Sequence, residues 1–303
     1  MSMSPVLAST REELSGLLAD ARRSGEEVAF VPTMGALHAG HASLMRTARE
    51  ATTGPVVVSI FVNPMQFSPT EDLDRYPRTL DADLEVCAAE GVDVVFAPSV
   101  EEMYPGGFSH DSVHDGVTVA PGALATILDG ESRPGHFDGV LTVVAKLFGL
   151  VRPDVAVFGQ KDYQQLTLIK RMVLDLNMAV DVVGAETVRE PDGLALSSRN
   201  RYLDDEQRLH ASALSRTLHA AQEGARWGLD VALDAARAEL RAADGVDLDY
   251  LVITDRDLGG LPADVPLGAE ARILIAARVG TTRLIDNMPL LLGSPVEPRE
   301  GAL

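Results

Sequence analysis

Short apolar runs alternate with amphipathic stretches over the first 187 residues of the chain. Thr10-Arg11-Glu12-Glu13 has the pattern of a capping box, and it predicts a helix that Gly25 ends. The apolar runs that follow are continuous rather than alternating, which is typical of strands buried on both faces of a parallel sheet. Pro32 is predicted to end the first of them. The predicted strands are residues 28–31, 56–62, 92–97, 155–158 and 179–183, and the predicted helices are residues 41–51, 79–90, 140–150 and 163–175.

Strands that alternate with helices predict an α/β fold, here a Rossmann-like doubly wound parallel sheet. The pattern changes near residue 187, where a polar, turn-rich segment begins. We therefore predict two domains, residues 1–187 with the Rossmann-like sheet and residues 188–303 as a smaller α+β C-terminal domain. The second domain is predicted to hold helices at 204–227 and 231–243, strands at 248–253, 273–279 and 282–286, and a polar tail after residue 293.

Composition and charge narrow the range of functions that the protein can have. The chain has 303 residues, of which 46% are hydrophobic and 23% charged, as in globular proteins. A net charge of −19 argues against a nucleic-acid partner or an anionic membrane surface, since both favour clustered Lys and Arg. No apolar run is long enough to span a membrane and no signal peptide is visible, so we expect a cytoplasmic protein. Cys87 is the single cysteine, and we expect it to be a small buried thiol.

The segment Pro32 to His41 is the first candidate for chemistry, because it joins a predicted buried strand to a predicted helix. Ligands bind outside the carboxyl ends of strands in open α/β sheets, and a helix start offers unpaired N–H groups and a partial positive charge. His38 and His41 can donate hydrogen bonds to phosphate oxygens, and Gly35 and Gly40 permit a close backbone approach. The alternative is a loop with two incidental histidines.

Three further segments carry candidate groups. Phe158 to Gln165 follows another apolar strand and offers Lys161 for phosphate and Asp162 for ribose hydroxyls. Leu196 to Arg201 places hydroxyls and guanidinium groups at the domain junction, where a mobile loop would close over a nucleotide. Ile60 to Phe67 ends in Gln66, which can orient a hydroxyl or carboxylate substrate. In the same order, the alternatives without a function are a solvated ion pair, a polar linker and a proline turn.

Three of these segments share the same predicted position in the sheet. Three of them follow buried strands, and the ends of parallel strands point the same way, so we expect them to meet at one crevice. Arg133 to Phe137 can add a cation and an imidazole, although a surface turn explains it nearly as well. The pair His110 and His114 has metal-like spacing but lies in a polar segment that we interpret as a loop.

Taken together, these residues resemble the pantothenate synthetase (pantoate–β-alanine ligase) family. The likeness runs from about Val31 to Asn287, and it implies membership of the nucleotidyltransferase group that carries an HIGH-type signature, here His38 to His41. Leu196 to Arg199 resembles the mobile KMSKS-like loop of that group. The segments that carry the resemblance are Pro32–His41, Ser59–Phe67, Tyr76–Thr79, Arg133–Phe137, Gly159–Gln165 and Leu196–Asn200.

The resemblance implies that pantoate and ATP form pantoyl adenylate, which β-alanine then converts to pantothenate and AMP. It implies catalytic roles for His41 as proton donor to pyrophosphate, His38 and Lys161, and pantoate contacts for Gln66 and Gln165, the former near β-alanine. It also implies Mg²⁺ with ATP, with Asp83 as a candidate ligand, and a homodimer. The residues it assigns to ATP are Met34, Gly35, Ala36, Leu37, His38, Ala39, Gly40, His41, Gly159, Gln160, Lys161, Asp162, Val188, Leu196, Ser197, Ser198 and Arg199.

The sequence departs from the family pattern at a few positions. Glutamate is common where Gln160 stands, methionine where Leu196 stands, and an additional carboxylate where Ala82 stands. Two other functions remain open at this point. One is a nucleotidyltransferase that releases a stable nucleotidylated product, and the other is a nucleotide-binding module without catalysis.

Overall fold

The computed structural model describes residues 4–67, 73, 76–107 and 116–293. The chain forms two compact units, Met1–Thr187 and Val188–Leu303. The histidines His110 and His114 and the segment after Gly293 lie outside the described residues.

A parallel sheet of six strands forms the first unit. Its strands are β1 (Val6–Ala8), β2 (Ala29–Thr33), β3 (Val56–Ile60), β4 (Val94–Phe96), β5 (Val155–Gly159) and β6 (Asp181–Ala185). Most residues of β2, β3 and β4 are buried, which confirms the interpretation of their continuous apolar runs as strands covered on both faces.

The strands are ordered β1-β4-β3-β2-β5-β6 across the sheet. Without β1, this is the order 3-2-1-4-5 of dinucleotide-binding folds, in which the chain reverses its direction of winding between the first and fourth strands. That switch point lies here between β2 and β5. The predicted Rossmann-like sheet is therefore confirmed. The edge strand β1 was not predicted, because it has only three residues and two of them are exposed.

Pro32 does not end β2, contrary to the sequence prediction. The strand continues to Thr33, whose carbonyl accepts a hydrogen bond from the N–H of Phe61 on the β3 side. The preceding residue, Pro32, therefore faces the β5 side, since consecutive residues of a strand point to opposite neighbours. Pairing between β2 and β5 is confined to Ala29 and Phe30, so the missing N–H of Pro32 breaks no hydrogen bond of the ladder.

Helices cover both faces of the sheet. They are α1 (Arg11–Leu17), α2 (Ala19–Ser24), α3 (Ala39–Ala51), α4 (Leu80–Ala89), α5 (Val100–Met103), α6 (Asp129–Ser132), α7 (His136–Val151) and α8 (Tyr163–Asp175). The capping box of Thr10 and Glu13 and the left-handed Gly25 are present as predicted. Helix α3 begins at Ala39 rather than at residue 41, because His38 caps it.

Two apolar cores form on opposite sides of the sheet. Phe30 and Phe96 contribute to the core beneath α7 and α8, while Val31, Met45 and Cys87 belong to the core beneath α3 and α4. Cys87 is the buried thiol that the sequence predicted. Burial, together with the charge of nearby Asp83, raises its pKa to about 12, so this thiol is unreactive at neutral pH.

The second unit packs two long helices on an antiparallel sheet. Its elements are α9 (Asp205–Ala225), α10 (Leu229–Arg241), β7 (Asp247–Asp255), β8 (Ala269–Val279) and β9 (Thr282–Leu292). Alanines such as Ala221 and Ala236 form the helix side of its core, which lets the helices approach the sheet closely. Among the described helices, none is long and apolar enough to cross a membrane.

Candidate functional site

The two histidines after β2 build the start of helix α3. The Nδ1 atom of His38 accepts a hydrogen bond from the N–H of Gly40 at 3.1 Å, and the Nδ1 atom of His41 accepts one from the N–H of His38 at 3.3 Å. Their rings lie 4.1 Å apart between centroids. Because both Nδ1 atoms act as acceptors, each neutral ring carries its proton on Nε2. The pair therefore carries two Nε2–H donors.

These contacts correct one expectation from the sequence. The N–H groups at this helix start were expected to be unpaired, yet those of His38 and Gly40 have imidazole partners. The N–H groups of Ala36 and Leu37 are also paired, with the carboxylate of Asp83. Side-chain donors, rather than these amides, are therefore what the loop presents to an anion.

His41 is held in the neutral form at neutral pH. Burial lowers its pKa to about 3, the neighbouring His38 and the charge of Lys161 contribute in the same direction, and Asp162 opposes them. Lys161 and Asp162 follow β5, which pairs in parallel with β2, so their charges act on His41 from the neighbouring strand end. This is the convergence at the carboxyl edge of the sheet that the sequence predicted.

The turn after β5 is a short 3-10 helix, Gln160–Asp162, that leads into α8. Lys161 has a side chain that is only 16% exposed, and its Nζ lies 3.4 Å from Asp162 Oδ1. The side chain of Gln160 points elsewhere, since its amide donates to the carbonyl of Gly184 on β6 at 2.8 Å. Lys161 is the cation of this turn, and its charge acts on His41.

Two adjacent glutamines of α8 have different surroundings. Gln164 is 2% exposed, and its side chain bonds the backbone at Leu124, Ile127 and Asp129, at 2.8, 2.9 and 3.0 Å. Gln165 is half-buried. Within the described part of the chain, the side-chain amide of Gln165 has no hydrogen-bond partner. It can therefore bind a ligand.

Gln66 is held by a network that begins at Asn63. Asn63 is 1% exposed and donates to the side-chain oxygen of Gln66 at 3.2 Å and to the carbonyl of Gly139 at 3.1 Å. The hydroxyl of Tyr104 donates to Asn63 at 2.7 Å. The amide of Gln66 donates to the sulfur of Met34 at 2.9 Å. This last contact joins the segment after β3 to the segment after β2.

A histidine and an arginine hold the backbone of Gln66. His136 Nδ1 lies 2.8 Å from the carbonyl of Gln66, and Arg133 Nη1 lies 2.9 Å from His136 Nε2. An arginine only donates and a carbonyl only accepts, so this imidazole is neutral with its proton on Nδ1. The Arg133 to Phe137 segment is thus more than a surface turn, because it positions Gln66.

Asp83 does not fit the metal role that the resemblance suggested. It is 2% exposed, and its two oxygens accept hydrogen bonds from Ala36, Leu37 and Thr79. A Mg²⁺ ligand must turn its oxygens toward the ion. Among the described residues, no group of three or more His, Cys, Asp or Glu side chains is arranged to hold a metal ion.

The second unit contains the other segment that was predicted to bind ATP. Ser197 caps the 3-10 helix Ser198–Tyr202, since its Oγ accepts from the N–H of Arg199 at 3.2 Å. Leu196, Ser197 and Ser198 are half-buried, and Arg199 is exposed. Val188 accepts from the N–H of Leu196 at 2.9 Å, which closes a hairpin at the base of the segment.

Buried polar groups fix the base of this hairpin. Asn200 donates to Glu190 at 2.8 Å and to the carbonyl of Ala195 at 3.1 Å. Arg189 forms a two-pronged ion pair with Asp286 of β9, with distances of 2.6 and 3.0 Å. The segment therefore extends from a rigid support within its own unit.

Sequence reasoning missed several of these groups. The sequence patterns assign no role to Asn63, Gln164 or Tyr104. A buried asparagine next to a proline after an apolar strand is a signal that could have identified Asn63. No local pattern identifies Tyr104, because its partner lies 41 residues away in the sequence.

The fold and the site define the class of protein. A histidine pair and a lysine at the switch point of a Rossmann-like sheet are typical of a nucleotide-binding α/β enzyme. The sequence model of the pantoate-β-alanine ligase family matches residues 6–289. The chain belongs to that family.

Similar proteins agree with this assignment along nearly the whole chain. A pantothenate synthetase from Nocardioides sp. (strain ATCC BAA-499 / JS614) is 72% identical over 97% of this chain and 88% of its own length. The crystal structure of a pantothenate synthetase from Thermus thermophilus has a TM-score of 0.83 and 47% identity, covering 93% of this chain and 98% of the other.

A third relative is described with bound molecules. It is a pantoate-β-alanine ligase from Francisella tularensis, in complex with beta-gamma ATP and β-alanine. Its structure has a TM-score of 0.74 and 34% identity to this chain, and it covers 94% of this chain and 97% of its own.

Proposed function

We propose that the protein is an ATP-dependent ligase that condenses pantoate with β-alanine to give pantothenate, AMP and pyrophosphate. The observation that carries this proposal is the histidine pair His38 and His41 beside Lys161 at the carboxyl edge of the sheet. Family membership and the relatives named pantothenate synthetase support the choice of acid and amine.

The reaction has two steps. A carboxylate oxygen of pantoate attacks the α-phosphorus of ATP, the bond from that phosphorus to the bridging oxygen breaks, and pyrophosphate leaves. The amine of β-alanine then attacks the activated carbonyl, AMP leaves with the former carboxylate oxygen, and the nitrogen loses a proton. Adenylation is needed because a carboxylate oxygen is a poor leaving group, whereas a phosphate is a good one.

Negative charge develops on the phosphates during the first step. Nε2–H groups of His38 and His41 and the ammonium of Lys161 are fixed donors that stabilise this charge without reorganisation of solvent. His41 acts on the departing pyrophosphate. It is neutral before ATP binds, and the triphosphate charge favours its protonated form, so the bound complex can supply a proton.

Further contacts complete the proposed ATP site. We assign to ATP the loop residues from Met34 to His41, the turn from Gly159 to Asp162, and Val188 with Leu196 to Arg199. Since the amides of Ala36 and Leu37 are bonded to Asp83, these two residues contribute shape rather than hydrogen bonds. Gln66 and Gln165 bind pantoate, and amides suit its hydroxyl and carboxylate groups.

We also propose a Mg²⁺ cofactor, a homodimeric assembly and a cytoplasmic location. We infer that Mg²⁺ arrives with the phosphates of ATP and neutralises them, because Asp83 does not fit as its ligand. We expect a cytoplasmic homodimer in which residues 188–303 act as a lid domain. Sedimentation of the purified protein gives its mass and tests the dimer.

Pantoate-dependent exchange of labelled pyrophosphate into ATP, followed by addition of β-alanine, tests the function. We expect exchange only with pantoate, and release of AMP when β-alanine is added. No exchange with pantoate contradicts the ligase. Exchange without AMP release indicates another amine, or an enzyme that releases a stable nucleotidylated product.

One variant separates binding from chemistry when exchange and nucleotide binding are both measured. His41→Ala should lose exchange by about 100-fold, the order of magnitude for one lost charge-stabilising donor, while equilibrium binding of a non-hydrolysable ATP analogue changes much less. Equal losses in binding and exchange would mean that His41 only holds the nucleotide.

A further inference from the structure

Asp83 lies under the loop that connects β2 to the histidine pair. Its Oδ1 accepts the N–H of Leu37 at 2.8 Å, and its Oδ2 accepts the N–H of Ala36 at 3.1 Å. The hydroxyl of Thr79 lies 3.3 Å from both oxygens. One buried carboxylate therefore binds two consecutive amides of the loop.

The loop needs such support because of its backbone. Gly35 has φ +82° and Ala36 has φ +51°, so two successive residues lie in the left-handed region. That region is unfavourable for Ala36, which has a Cβ. The turn aims the N–H groups of Ala36 and Leu37 in one direction, where they form a small concave site for an anion. In this protein the anion is the side chain of Asp83.

Asp83 itself is rigidly placed. It lies in the first turn of α4, where the helix dipole favours a negative charge, and its own N–H is bonded to the carbonyl of Thr79 at 2.9 Å. A Cβ on Gly35 would lie only 2.9 Å from Asp83 Oδ2 and 3.1 Å from Ile60, so the loop and the carboxylate are in tight contact. The residue directly after this anchored stretch is His38.

We propose that Asp83 is a positioning residue for the ATP site, which fixes the 35–37 loop and thereby the two histidines, and that it is not a Mg²⁺ ligand. The inference rests on the proposed function for the identity of the nucleotide. It does not depend on which acid is activated, since it concerns the loop alone. A carboxylate is required because only two equivalent acceptor oxygens match two N–H donors.

Asp83→Asn tests the proposal, because asparagine keeps the size but offers one acceptor and turns an NH₂ group toward a donor. We expect the KM for ATP to rise roughly 10- to 100-fold, as follows from the loss of a hydrogen bond to a charged group, with the KM for pantoate at saturating ATP unchanged. Direct binding of a non-hydrolysable ATP analogue should weaken by a similar factor. Asp81→Asn is the matched control, since this exposed carboxylate lies two residues earlier in the same helix, and it should change neither quantity.

Thr79→Val is a milder second variant, chosen in case Asp83→Asn fails to fold. It removes one donor from an exposed position and should raise the KM for ATP about twofold to threefold, as expected for a single neutral hydrogen bond. Titration with Mg²⁺ separates the two roles of Asp83. A positioning role leaves the Mg²⁺ concentration for half-maximal rate unchanged, and a marked increase that excess Mg²⁺ overcomes would overturn the proposal.

Two further outcomes would overturn it. The first is that the KM for ATP is unchanged in Asp83→Asn. The second is a loss of catalytic rate that is the same whichever substrate is varied and that follows the fraction of folded protein. A wild-type protein that shows no pantoate-dependent exchange but binds the ATP analogue would contradict the proposed ligase and leave the binding arm of this test valid.

Discussion

The Nδ1 atom of His41 accepts a hydrogen bond from the backbone N–H of His38 at 3.3 Å, three residues earlier in the chain. Together with the bond from Gly40 to His38, it makes a capping box in which both side chains are imidazoles. Such boxes usually use hydroxyl and carboxylate side chains. The residues that start helix α3 are therefore the same ones that we propose to bind phosphate.

This arrangement predicts the ionisation of His41. Protonation at Nδ1 would place an N–H against the N–H of His38, and burial already lowers the pKa of His41 to about 3. We expect nitrogen-15 NMR of the ligand-free protein to show a neutral ring with its proton on Nε2 from pH 8 to pH 5. A saturating ATP analogue should raise that pKa. A ligand-free titration near the ordinary value of about 6.5 would contradict the prediction.

The lowered pKa of His41 also determines how the stability of the protein changes with pH. The unfolded chain protonates His41 at about pH 6.5, whereas the folded chain does so near pH 3, so the unfolded state binds more protons between these values. Stability is therefore lost through His41 as the pH falls from about 6.5. The His41→Asn variant should lose less thermal stability than the wild type between pH 7 and pH 5, and an equal loss would count against the shift.

Gln164 and Gln165 offer a test with neighbouring residues of one type. Gln165→Leu should raise the KM for pantoate about tenfold, because a bound polar group loses its partner, and it should leave the melting temperature nearly unchanged. Gln164→Leu should lower the free energy of unfolding by about 2–4 kcal/mol, since it removes three hydrogen bonds to the segment at Leu124 to Asp129. The opposite assignment of the two effects would contradict the role given to Gln165.

The sheet could be predicted from sequence because its strands are buried on both faces, so that each one is a continuous apolar run. The convergence of His41 with Lys161 could be predicted as well, since it follows from the direction of parallel strands. The role of Asp83 could not. A carboxylate in the first turn of a helix fits a capping role, a metal site or a loop anchor, and only its position under Ala36 and Leu37 separates them.

Helix α7 supplies a test of how Gln66 is placed. Gly139 packs against the 3-10 helix Pro64–Gln66, and a Cβ there would overlap the carbonyl of Met65 and lie 2.6 Å from the N–H nitrogen of Gln66. Gly139→Ala must therefore displace this backbone. We expect the KM for pantoate to rise about tenfold or more, consistent with a misplacement of about 1 Å at a site, while the KM for ATP changes less.

The control is Gly149→Ala in the same helix. A Cβ at this exposed position meets nothing within 4 Å, so the substitution only reduces the flexibility of the unfolded chain. It should stabilise the protein by about 0.5–1 kcal/mol and leave both KM values unchanged. Normal pantoate kinetics in Gly139→Ala would mean that the backbone at Gln66 does not set the pantoate site.

The ion pair between Arg189 and Asp286 predicts a large effect on the second unit. The carboxylate of Asp286 is 2% exposed and is bound by both terminal nitrogens of Arg189. Arg189→Met leaves that buried charge without its partner, which costs about 3–5 kcal/mol. Urea unfolding followed by the fluorescence of Trp227, the single tryptophan, should report this loss because Trp227 belongs to the same unit.

Arg256→Met is the matched comparison for that experiment. Its partner Glu270 lies at 3.2 Å, but the two side chains are 70% and 68% exposed, so water screens the pair. We expect a change of less than about 1 kcal/mol. If Arg189→Met were as mild as Arg256→Met, the pair with Asp286 would not support the hairpin that begins at Val188. A large loss in Arg189→Met, with a raised KM for ATP in the folded fraction, would instead link this support to the Leu196 to Arg199 segment.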